Sequence, residues 1–287
     1  MNDQEFPALY RSANKLSLDS QASFLRALKA HLLTLVFAAM LSIVSLPHWS
    51  VATLQLLALL AALGCSIYLF SRRPDRYWYS GRAVAESVKT ITWRFATRAE
   101  PFDTSDDIAQ HDFREKLRSI VDQNREVAGL LTDFIEEAQV TDAMQDLRSQ
   151  SLEQRRETYA KLRIGDQLTW YAKKAAHNRR ASTRSFFLLI AINVLAVISA
   201  ALRIRFPESP FWPTDVFVAA AASLLTWMQA KRFSELASSY ALAAHEIGLI
   251  REKSKLPADD RSLSLFIGDA ENAFSREHTQ WVARRDA

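Results

Sequence analysis

The chain has 287 residues, room for one large domain or two small ones, with only six glycines and eight prolines. Its formal charge of +4 does not by itself argue for nucleic acid, and its single cysteine, Cys65, excludes an intrachain disulfide and a Cys-based zinc site. A sequence so short of breakers, with no proline between Pro101 and Pro207, reads as mostly α-helix.

Residues 1–29 form a polar N-terminal segment. Residues 30–46 then contain no Asp, Glu, Lys or Arg, and neither do residues 51–70. A bilayer core takes roughly 20 apolar residues of helix, with about 17 sufficient. Residues 30–70 are therefore expected to be a first transmembrane hairpin, turned by "LPHWS". The stretch that follows, "SRRPDRYWYSGRAVAESVKTITWRF", is basic and aromatic. It suits a membrane exit that continues as a helix over residues 77–98 and stops at "AEPF", where Pro101 cannot continue it.

Residues 71–185 make up a helical region with apolar positions at helical spacing. Two long helices are predicted within it, over 106–138 and 142–185. Residues 186–202 and 216–230 are again free of charge and form a second hairpin (186–230), linked by "RIRFPESPFWPT". The last run is the shortest and needs residues 211–215 to reach across. Residues 231–287 close the chain with further helices, one predicted over 261–285. The fold class is an all-α integral membrane protein: two transmembrane helical hairpins whose long helices extend into a cytoplasmic helical bundle.

Lys and Arg near the helix ends set the orientation. One side carries Arg26, Lys29, Arg72, Arg73, Arg76, Arg179, Arg180, Arg184, Lys231 and Arg232; the other carries Arg203 and Arg205. This imbalance places both termini and the central region in the cytoplasm. The order of apolar pair, basic exit and long helix occurs twice. Laying the second hairpin over the first sets Arg232 on Arg72, Ala243 on Ala83 and Glu246 on Glu86, as in a duplicated unit.

Catalytic signatures are missing. No two glycines are close enough for a phosphate loop, and the six histidines form no H-x-x-x-H pair. The chain is not expected to be an enzyme, and no cofactor or metal is implied. Within the apolar runs, Gln55 and Asn193 either bond neighbouring helices or line a pore. The runs hold no Asp, Glu, Lys or Arg, which argues against proton-coupled transport.

Three clusters beside the membrane mix charge with aromatics. Arg82, Glu86, Lys89 and Trp93 share one helix face. Gln167, Trp170, Tyr171 and Lys174 lie in "GDQLTWYAKKAAHN", and Arg276, Glu277, Trp281 and Arg285 in "SREHTQWVARR". Three readings stand open: an ion-pair and aromatic core, a binding site in which cations take phosphates while aromatics stack on bases, or a bundle core with anionic-lipid anchoring.

The segments "RYWYSGRAVAESVKTITWRFATRAEPF", "RIGDQLTWYAKKAAHN" and "AFSREHTQWVARR" resemble the SLATT family, the SMODS- and SLOG-associating two-transmembrane effector domains of bacterial defence systems. The likeness covers nearly the whole chain and matches the long, four-helix form with a duplicated domain. It implies a non-enzymatic inner-membrane effector that opens a pore on a nucleotide or oligonucleotide signal made by a partner enzyme, working as a homo-oligomer in the bilayer. The matching polar positions are Arg82, Glu86, Lys89, Trp93, Gln167, Trp170, Tyr171, Arg276, Glu277, His278 and Trp281, a ligand or gating collar to which Lys174 and Glu246 are added. The competing reading is a non-conducting scaffold that recruits a soluble partner through its bundle.

Overall fold

A computed structural model describes residues 1–43 and 49–283, with side chains through Ser275. The regular structure of the described residues is helical, with no strand among them. In chain order the helices are α1 (Ala8–Ile43), α2 (Trp49–Arg72), α3 (Pro74–Ala96), α4 (Asp106–Gln123), α5 (Arg125–Ala128), α6 (Asp142–Ser149), α7 (Leu152–Tyr159), α8 (Asp166–Arg205), α9 (Thr214–Lys231), α10 (Phe233–Lys253) and α11 (Asp260–Ala283). A π-helical segment, Ala160–Gly165, joins α7 to α8.

The chain packs as two units. One gathers residues 1–21, 75–172 and 242–287; the other holds 22–74 and 173–241. The second unit contains the apolar runs. Its two hairpins are tied by side chains reaching across: Gln55 Nε2 donates to the Ala38 carbonyl at 3.3 Å, His31 Nδ1 lies 3.0 Å from the Ala62 carbonyl, and the Ser199 and Thr214 hydroxyls are 2.9 Å apart. Three helical stretches are long and apolar enough to cross a membrane, Ala8–Ile43, Trp49–Ala96 and Leu152–Arg205, and little of their apolar surface is covered. The fourth expected run is helical as α9, but it is not among them: Asp215, Gln229 and Lys231 dilute its 18 residues. Most of the "LPHWS" turn lies outside the described residues.

The duplication is visible in the backbone. α1, α2, α3 and α4 find counterparts in α8, α9, α10 and α11, and each hairpin ends the same way. Arg73 (φ 42°) and Arg232 (φ 48°) both adopt the left-handed conformation. Each donates its backbone N–H to the carbonyl four residues back, Leu69 at 3.2 Å and Met228 at 2.9 Å, before the next helix starts. An arginine at positive φ is uncommon, and its recurrence within one position of the sequence overlay, at the end of each hairpin, marks a shared local structure.

Between the repeated helices the chain departs from the periodicity. The helix predicted over 106–138 stops at Gln123 and, after the single turn of α5, the chain is irregular from Gly129 to Thr141. Tertiary bonds override the helical pattern here. Ala8 N–H donates to the Ala138 carbonyl at 3.2 Å, Leu9 N–H to Gln139 Oε1 at 3.1 Å, and Thr141 Oγ1 to the Glu5 carbonyl at 2.6 Å. Ser12 bonds the Asp133 carbonyl, Arg11 and Lys15 pair with Glu137 and Asp133, and Phe134 takes a positive φ of 59°. The segment thus straps the start of α1, around a cavity of about 200 Å³ lined by residues including Leu9, Val121, Leu131 and Phe134. The helix predicted over 142–185 is likewise interrupted. Ser151 accepts from Gln154 N–H and Gln154 returns a bond to the Ser151 N–H, a reciprocal cap that starts α7 afresh.

Candidate functional site

The first unit has a polar and aromatic centre built on α3. Spacing of three and four residues puts Arg82, Glu86, Lys89 and Trp93 on one face, as expected. Arg82 Nη2 pairs with Glu86 Oε1 at 2.5 Å, with the Glu86 side chain 14% exposed. Lys89 Nζ sits 6.0 Å from the centre of the Phe6 ring, at the outer reach of a cation–π contact. Burial pushes the Lys89 ammonium down from the ordinary lysine range; Arg163 and Arg82 push the same way, while Glu86 and Asp3 oppose them. Trp93 is buried, meeting Tyr159 edge to face at 5.8 Å and Phe6 at 6.3 Å. Tyr10 closes the far side, stacked at a tilt on Phe6 at 4.6 Å, its hydroxyl 3.3 Å from Asp3. Burial, followed by the nearby Asp3 and Glu86 carboxylates, holds that phenol well above its usual value.

Behind Trp93 lies a buried ion pair that sequence reading missed. Arg163 Nε and Nη2 donate to the two oxygens of Glu271, each at 2.8 Å, and both side chains are almost wholly excluded from solvent. Tyr159 donates its hydroxyl to the same carboxylate at 3.0 Å. Two parallel N–H···O bonds and a third donor stabilise a carboxylate that would otherwise be costly to bury. The Glu271 charge keeps Arg163 firmly protonated against its own desolvation. Burial and the same charge raise the Tyr159 phenol far above its ordinary range. Arg163 belongs to the π segment and Tyr159 precedes it by four residues, near enough to one face for both to meet one acceptor.

Two more buried arginines hold the end of α3. Arg148 donates to Asp106 Oδ1 at 2.8 Å and to the carbonyls of Phe95 at 2.8 Å and Thr104 at 3.0 Å. Arg155 donates to the Thr97 carbonyl at 2.9 Å and pairs with Asp260. These side chains supply the carbonyls left open where α3 stops.

The other expected cluster members are more scattered. Tyr171 is buried, while Trp170, against it edge to face at 4.9 Å, is 39% exposed. Gln167 is half-buried, and Lys174 is exposed and belongs to the second unit. Glu246, expected to repeat Glu86, is exposed instead, because α10 buries its Ala243 and Ile247 face. Arg276, Glu277, His278 and Trp281 fall in the last turns of α11, where side chains lie outside the described residues. In the second unit Gln55 bonds across its hairpin, and Asn193, exposed, donates to the Leu189 carbonyl of its own helix at 2.8 Å. Among the described residues no group of His, Cys, Asp and Glu could hold a metal ion.

Comparison with known families accounts for nearly the whole chain. Residues 7–156 match the model of SMODS and SLOG-associating 2TM effector domain 3, and residues 159–281 match that of SMODS and SLOG-associating 2TM effector domain 1. No curated protein and no solved structure matches the chain. The seam between the two matches falls at the end of α7, just before the π segment.

Proposed function

Since the chain belongs to the SLATT family of two-transmembrane effector domains, which it carries in tandem, we propose that it is an oligomeric, signal-gated pore of the bacterial inner membrane, acting in anti-phage defence. The observation that carries this reading is the pairing of two effector domains with apolar helices whose surfaces are left mostly uncovered, in a family associated with nucleotide-signalling systems. Four helices enclose little space, so a conducting path calls for closure of several copies around an axis, with Gln55 and Asn193 as candidate lining. The trigger is a nucleotide or oligonucleotide made by a partner enzyme. A ligand that prefers one arrangement of the collar shifts the population towards it. α8 supports that link, being one unbroken helix from Asp166 through the buried Tyr171 to Arg205.

The test is ion flux from liposomes holding the purified full chain, with and without a panel of cyclic and linear oligonucleotides. Flux that appears with one compound and not the others is the expected result. Folded, inserted protein that stays silent throughout favours the scaffold, in which the bundle recruits a soluble partner.

A further inference from the structure

The centre of the first unit carries more donors than acceptors. Arg82 with Glu86 and Arg163 with Glu271 form ion pairs, which leaves Lys89 outside such a pair, with the Asp3 and Glu86 carboxylates acting on it from nearby. Among the described residues Lys89 makes no hydrogen bond or ion pair, and its ring contact with Phe6 is long. Two further donors beside it are buried without a partner: Arg163 Nη1, the fork not used on Glu271, and Trp93 Nε1. Both side chains are 1% exposed. They lie within one residue of each other, because the Trp93 ring rests on Tyr159 and Tyr159 shares the Glu271 carboxylate with Arg163. Lys89 and Trp93 are successive positions of one face of α3 and both meet Phe6. Unmet buried donors are costly, about 1–3 kcal/mol each and more where charged, so a protein seldom keeps two without a use.

We propose that Lys89 Nζ, Arg163 Nη1 and Trp93 Nε1 form an anion site that takes a phosphate group, entered from the half-exposed Lys89 side. Three donors from two helical segments suit a tetrahedral oxyanion better than a planar carboxylate. Lysine supplies the point charge and arginine the directed N–H. The phosphate can come from a soluble nucleotide or from a phospholipid headgroup, which present the same oxygens. Glu271 keeps Arg163 in place whether or not the site is filled. The inference goes beyond the pore reading and is read out without ion flux, so either can fail while the other stands.

The test uses the full chain in phosphatidylcholine nanodiscs, following the indole N–H resonance of Trp93, identified by its loss in Trp93→Phe. Inorganic phosphate and adenosine 5′-monophosphate are titrated in turn, and a separate preparation replaces the lipid with phosphatidylglycerol. A saturable downfield shift with either soluble probe, weakened about tenfold or more in Lys89→Met, is the expected result. A shift seen only in phosphatidylglycerol discs and lost in the same variant supports the site and assigns it to lipid. Lys89→Met removes no ion pair, so it is expected to stay folded, as circular dichroism would check. A resonance that moves in no arm, or moves equally in Lys89→Met, overturns the proposal.

Discussion

Glu271 and Lys89 show opposite ways of carrying charge into the first unit. Glu271 is fully buried and satisfied by Arg163 and Tyr159, so removing it strands an arginine that cannot lose its proton. Glu271→Gln is expected to cost about 3–5 kcal/mol in chemical denaturation of the detergent-solubilised chain. Glu271→Leu combined with Arg163→Met should cost less than either alone, since no charge is then left unpaired. Lys89 works the other way. Burial lowers its proton affinity in the fold, while in the unfolded chain it titrates near the usual lysine value of about 10.4. Below that value the unfolded state therefore binds more protons, and the part of stability that depends on Lys89 rises with pH through the window. At neutral pH its charge opposes folding. Lys89→Met should therefore denature at higher urea than the parent near pH 7, and the difference should shrink towards pH 10. A gain that grows with pH would mean that Lys89 holds an unseen partner.

At the scale of elements, the apolar runs were legible because a membrane helix announces itself by the absence of charge over a fixed length. The described parts of all four runs are helical, and Pro101 stands close to the real end of α3. The interruptions at Gly129 and Ala160 were not legible. The first is set by contacts of residues 133–141 with the start of α1, more than a hundred residues away in sequence, and the second by one residue too many in a helix. For the same reason the Arg163–Glu271 pair escaped notice: each residue alone looks like part of a solvated helix face, and nothing local joins position 163 to 271. Close approach can be tested directly. A Cβ on Gly81 would stand 3.1 Å from both the Ala13 carbonyl oxygen and the Ser17 nitrogen, backbone atoms that cannot step aside cheaply. Gly81→Ala should destabilise by about 1–3 kcal/mol. Gly248→Ala, in a helix with open space around it, should instead stabilise by about 0.5–1 kcal/mol, the usual cost of a helical glycine.

For the whole molecule, the question is how a duplicated pair of hairpins is set in the bilayer when, among the described residues, three stretches are long and apolar enough to cross. An even number of crossings puts both termini on one side, whereas an inert α9 would leave three and separate them. The basic residues favour the even number: Lys231 and Arg232, at the end of α9, belong with Arg72 and Arg73 at the end of α2, and the backbone repeats at that point. α9 is short, but the Pro- and Trp-bearing link before it can sit in the interface and lend length. Because Cys65 is the sole cysteine, single-cysteine labelling is available in a Cys65→Ser background. Ser209→Cys, in the link between α8 and α9, is expected to react with a membrane-impermeant maleimide added to intact spheroplasts. Ser149→Cys, at the end of α6, and Asp259→Cys, between α10 and α11, should react only after the membrane is opened. Labelling of Asp259→Cys in intact spheroplasts while Ser149→Cys stays protected would show that α9 does not cross, and that the second hairpin is a hairpin in sequence only.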